Sequence, residues 1–109
     1  MRYLYHLVLH GTAVPPRYAP PSLASEGFVH LSFAPAVAGS AVLYFPVGSV
    51  LDRWRIDPRR VDVPVVLADT PRGPMPHAHG ALPAECVVDV ARFDPAEVLL
   101  DELTEEGGN

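Results

Sequence analysis

Prolines constrain this chain more than any other feature. Thirteen fall among 109 residues, about twice the usual share. They concentrate in "PPRYAPP" at residues 15–21 and "PRGPMP" at residues 71–76. Proline fixes φ and lacks a backbone donor, so both stretches are expected as stiff loops, not helices or central strands. Around them, residues 2–9, 27–32, 50–57 and 85–93 read as strands, and 61–69 as a strand weakened or placed at an edge by Pro64. Residues 34–45 read as a short helix, with Pro35 in the first turn and Val37, Ala41 and Tyr44 at helical spacing. Asp94 reads as the cap of a second helix, with Pro95 first and Glu97 three residues after the cap. The order β, β, α, β, β, β, α lacks βαβ alternation. It predicts an α+β fold with a split, mainly antiparallel β-sheet and a few short helices. One domain spans 1–109, with a core over about 3–93 and a C-terminal helix and tail at 94–109.

Composition narrows the function classes. A hydrophobic share of 49% fits a packed core. The apolar runs fall short of the ~20 residues of a membrane helix. The N-terminal "MRYLYHLVLHG" is broken by His6 and His10 and is followed by no cleavage site, so no membrane partner and a cytoplasmic location are expected. The single Cys86 excludes an internal disulfide and reads as a buried, inert thiol. Net charge is −5, with eight arginines and no lysine. An acidic chain is poorly suited to broad nucleic-acid binding. Arg53, Arg55, Arg59 and Arg60 cluster locally, as a solvated strand edge and turn or as a small anion patch.

The five histidines carry the chemistry. His6 and His10 lie on the first strand, His30 on the second, and His77 and His79 in "GPMPHAHGALP". If the first two strands are neighbours, His6 and His30 converge on one face and the 74–83 loop closes over them. Three readings stand side by side: a metal site built on the H-x-H pair, acid–base or ligand-binding work, and paired structural histidines. A Ser-His-Asp hydrolase is not supported, because no G-x-S-x-G elbow is present and no acid is clearly placed behind a histidine. His30 and Ser32, two residues apart on a strand, face the same side, with Gly27 letting the chain enter that strand.

"YHLV" at 5–8, "PPSLASEGFVHLS" at 20–32, "IDPRRV" at 56–61 and "PHAHGALP" at 76–83 resemble, in that order, the bacterial family called domain of unknown function 952. The resemblance runs over roughly residues 3–93. The family has no assigned reaction and is remotely similar to the ADP-ribosyltransferase fold, whose split antiparallel sheet clasps NAD. By position, the resemblance implies His6, His30 and His77 as catalytic residues. It implies Ser32, Tyr5, Phe28, His79 and Glu26 as ligand-binding residues, with Tyr18 a further stacking candidate and Glu85 a fallback acid. Relatives carry a helix after the first strand. Here the prolines of "HGTAVPPRYAPP" are expected to forbid it.

The chemistry implied is coherent. Cleaving nicotinamide from ribose passes through an oxocarbenium-like state with a neutral leaving group, so the protein must hold hydroxyls, stack the ring and stabilise charge. The resemblance therefore implies a histidine-lined cleft that binds NAD, as a substrate rather than a resident cofactor, or another nucleotide-like small molecule. Its alternatives are a non-catalytic small-molecule or partner-binding module on the same fold and, behind it, a histidine metal-binding protein.

Overall fold

The computed structural model describes residues 2–97. Strand β1 (Leu4–Leu9) and short strand β2 (Arg17–Tyr18) precede helix α1 (Pro21–Glu26) and strand β3 (Val29–His30). A 3-10 turn at Ala34–Ala36 runs into helix α2 (Val37–Tyr44). Then come β4 (Leu51–Ile56), β5 (Val65–Thr70), β6 (Gly73–Ala78), β7 (Leu82–Pro83) and β8 (Val87–Phe93). Asp94 Oδ1 accepts the Ala96 amide at 3.0 Å, as a helix cap does. The expected C-terminal helix and tail beyond residue 97 lie outside the described residues.

Every strand pairing is antiparallel. One sheet runs β1–β4–β8, a second β3–β6–β5, and β2 pairs with β7. The two larger sheets meet where Tyr5 and Ser32 exchange amide–carbonyl bonds of 2.8 Å each. On one side of this seam Leu4, Val29, Leu31, Ile56, Ala78 and Cys86 form the core. Strand alternation turns Tyr5, His30, Ser32, Met75 and His77 to the other side.

The prolines behave differently from expectation. Residues 73–76 are not a loop: they belong to β6, the central strand of its sheet, and only Pro71 and Arg72 form a turn. Leu31 donates to the Pro76 carbonyl at 3.1 Å, so Pro76 faces β3, and alternation turns Pro74 the same way. Met75 between them and His77 after them, with their amides intact, face β5. Both missing donors therefore fall on the side where β3 contributes only Val29 and His30, and the β5–β6 ladder is left whole. The other cluster holds no helix over residues 10–20, as expected, but its last two prolines start one. Pro20 is the N-cap of α1 and Pro21 its first residue, where the absent N–H costs nothing. Gly27, at φ 88°, ends α1, donating its amide to Ser22 and Leu23 carbonyls.

Candidate functional site

The two sheets part beyond the Tyr5–Ser32 bridge, and α2 covers the gap. The result is a pocket of about 800 Å³. Its floor is Tyr5, His6 and Leu7 of β1 with Leu31 and Ser32. Phe28, His30, Met75 and His77 make one wall, and Ser40, Leu43 and Tyr44 of α2 another. The β5–β6 turn, with Arg72, lies at the rim. The lining is mainly apolar and aromatic with a few convergent polar groups, as small-molecule sites are.

His30 and His77 are cross-strand partners, and their rings meet edge to face at 5.5 Å. The His77 ring lies flat on Phe28, with centroids 3.9 Å apart and 6° between planes. His77 is 9% exposed and makes no side-chain hydrogen bond among the described residues. Burial, and then the neighbouring His30 and His79, push its pKa below the ordinary imidazole value, so the ring is neutral at pH 7. His30 Nε2 lies 2.8 Å from Glu26 Oε2 and its ring 5.3 Å from that of Tyr44. Glu26 is the last residue of α1, and the Gly27 turn returns the chain so that Glu26 stands behind His30. A carboxylate can only accept, so Nε2 donates; in the neutral ring Nδ1 is then the basic lone pair.

His6 departs from expectation. It is the neighbour of Tyr5 in β1, so its side chain points to the face opposite His30. The two histidines meet only through backbone: His6 Nδ1 donates to the His30 carbonyl at 2.7 Å. The Tyr18 hydroxyl donates to His6 Nε2 at 2.8 Å. Burial holds its pKa at about 4, so the ring is neutral and its tautomer is fixed by the carbonyl. His6 borders the pocket, but both ring nitrogens are engaged. His6 therefore positions β3 and Tyr18 and has no nitrogen left for a ligand.

Ser32 is 7% exposed, and its Oγ lies 2.9 Å from Ser40 Oγ. Arg72 Nη1 donates to Ser40 Oγ at 3.1 Å and Nη2 to the Ala36 carbonyl at 3.2 Å. The sequence gives one missed clue to this rim: "TPRG" at 70–73 reads as a hairpin turn, with Gly73 at φ 91°.

Several expected site residues lie elsewhere. His79 is exposed and outside the pocket, its ring 5.9 Å from Phe28. Tyr18 packs on His6 and Trp54 in the interior. Acids do stand behind histidines: besides Glu26 at His30, buried Asp52 bonds His10 Nδ1 at 2.7 Å, away from the pocket. Among the described residues no group of three His, Cys, Asp or Glu is placed to hold a metal ion, so the H-x-H metal set does not assemble. The arginine cluster divides in two, and Arg53 and Arg55 each keep a buried Nε without a hydrogen bond among the described residues. Asp57 binds Arg59 twice and lies near Arg60, while Arg53 and Arg55 lie over the rings of Tyr5 and Tyr3. Cys86 is buried, and desolvation pushes its thiol up to about 11.

Antiparallel sheets joined by a few short helices define a small α+β domain. Among the described residues no helix is long and apolar enough to cross a membrane. The chain belongs to the family described as Protein of unknown function (DUF952), which matches residues 12–90. The fold is similar to the crystal structure of protein CC0527 from Caulobacter crescentus, with a TM-score of 0.71 at 17% identity, covering 84% of this chain and 86% of that one. A double mutant of CC0527 gives a TM-score of 0.67 at 18% identity over the same shares. No curated protein matches the chain.

Proposed function

We propose that the pocket binds a small molecule carrying a flat, hydrogen-bonding ring, with His77 as its principal polar contact and His30 as an acid–base group backed by Glu26. One observation carries the reading. His77 is buried and stacked on Phe28, yet its ring makes no hydrogen bond among the described residues. Neither ring nitrogen is sealed from solvent, so both stay free at the pocket for a ligand to pair with. Neutral His77 offers one donor and one acceptor, and Tyr44 and Phe28 offer faces for stacking. The Glu26–His30 pair is the arrangement that takes a proton from a ligand hydroxyl or amide.

The narrower reading is NAD or a related nucleotide, with ADP-ribosyl-transfer-like chemistry. The cleft at the parting of an antiparallel sheet supports it, as does Glu26 within the cleft. In this reading His30, Ser32 and His77 hold the ribose and nicotinamide, and Glu26 supplies the carboxylate for developing positive charge. Because His6 is fully engaged, that chemistry runs without it. The non-catalytic binder uses the same contacts.

The test is a thermal-shift panel of NAD, ADP-ribose, nicotinamide and unrelated aromatic amides, followed by NMR of the His77 imidazole. A ligand that raises Tm by about 2 °C or more in the parent protein and not in His77→Ala is expected. A flat panel with unmoved His77 resonances overturns the reading. Free nicotinamide released on incubation with NAD separates enzyme from binder.

A further inference from the structure

We propose that Arg72, Ser40 and Ser32 form an anion subsite at the rim of the pocket, which selects ligands bearing a carboxylate or phosphate as well as a flat ring. The inference rests on the pocket reading above and adds the chemical class of the ligand.

Arg72 stands apart from the other seven arginines. Arg17 pairs with Asp62, Arg59 and Arg60 lie against Asp57, and Arg92 lies against Asp94 and Glu97. Arg2, Arg53 and Arg55 lie over aromatic rings. Arg72 has neither a carboxylate nor a ring among the described residues. It is held only by neutral oxygens, Ser40 Oγ and the Ala36 carbonyl, which orient its guanidinium without cancelling its charge. Its backbone is fixed as well: its amide donates to Thr70 Oγ1 at 3.1 Å, and that hydroxyl donates to the Gly73 carbonyl at 2.7 Å. Helix α2 leaves room for it. A Cβ at Gly39 would lie 3.1 Å from Arg72 Nη2, closer than ordinary contact.

The hydroxyls give a second, independent indication. Ser40 Oγ accepts from Arg72, and one hydroxyl proton lies between Ser40 and Ser32. Two hydroxyls carry two protons, so whichever serine donates, one O–H has no acceptor among the described residues. Ser32 and Ser40 are 7% and 5% exposed and both line the pocket, so that orphan donor is buried and faces it. An anion accepts from the orphan O–H and from the guanidinium's remaining N–H groups together.

The placement sets the ligand's shape. Arg72 touches the start of α2 through Ala36 and Ser40, whereas His30 meets Tyr44 at its end. Glu26, the one carboxylate lining the pocket among the described residues, sits at the His30 end. Like-charge repulsion therefore keeps an anion away from Glu26 and directs it to Arg72. The ring is left for Phe28 and His77.

The probes are 3-phenylpropionate, phenyl phosphate and neutral 3-phenylpropionamide, titrated by NMR against the full chain while His77, Ser32 and Arg72 are followed. We expect at least one anion to bind about tenfold tighter than the amide, with the carboxylate and phosphate arms showing which anion fits. In Arg72→Gln that preference disappears while amide binding is kept. Ser32→Ala, which leaves the Arg72 contacts in place, lowers it about threefold and serves if Arg72→Gln misfolds. Equal binding of anions and amide, or a preference that survives both substitutions, overturns the subsite and leaves the pocket reading intact. No perturbation of His77 by any probe overturns both.

Discussion

Acidifying the protein should reveal the partly buried, neutral His6. Its pKa is about 4 in the fold against 6.5 for a free imidazole. Above pH 6.5 the ring is neutral folded or unfolded and contributes no pH dependence. As pH falls below that value the unfolded chain takes up a proton that the folded chain refuses, so stability drops until the folded ring itself titrates near pH 4. At about 1.4 kcal/mol per pH unit this window removes about 3 kcal/mol. That is a large fraction of the ~5–15 kcal/mol by which domains are stable. His77, whose pKa is also lowered, acts in the same direction, so the variant His6→Gln is needed to isolate His6. Urea unfolding followed by the single tryptophan, Trp54, at several pH values between 7.5 and 4.5 gives both curves. At pH 7.5 the variant should be about 1–2 kcal/mol less stable, having lost bonds to His30 and Tyr18. Its curve should then fall less steeply, so that the gap closes with acid. Parallel curves would refute the argument, because the pH dependence would then belong to other groups.

Two further outcomes follow from packing. At Gly80→Ala the new Cβ meets Val63 Cγ1 at 2.5 Å. This should cost about 1–3 kcal/mol in a denaturant melt, and Val63→Ala should recover part of it, whereas additive losses would show that the clash is relieved elsewhere. Phe28→Ala removes the ring stacked on His77 and admits water. The His77 pKa, read from its imidazole NMR signals, should rise toward the ordinary value, and an unchanged pKa would show that Phe28 is not what buries it.

Much of this fold is legible in the sequence because strand alternation and proline placement are local. β1, β4, β8, the helix at 34–45 and the shared face of His30 and Ser32 all follow from period and propensity. β6 does not, because proline argues against a central strand unless the ladder side of each residue is known. That parity comes from pairing with β3, a long-range fact. His6 illustrates the same limit. Alternation separates it from Tyr5, but only the Tyr5–Ser32 register shows that it faces away from His30. The Glu26–His30 pair is four residues apart in sequence, yet the Gly27 turn, not a helix face, brings them together. Arg72 and Ser40 belong to separate elements that no local pattern connects.

The two prolines of β6 also bear on strand addition at this sheet. A sheet that stops pairing halfway along a central strand leaves an inner edge, which ordinarily recruits an extended peptide by adding a strand. Here Pro74 and Pro76 present no donors to that edge, and the Pro76 carbonyl is already taken by Leu31. A visiting backbone finds little to pair with, so strand addition is disfavoured where side-chain recognition is not. The same two prolines thus leave this inner edge poorly suited to capture by another chain.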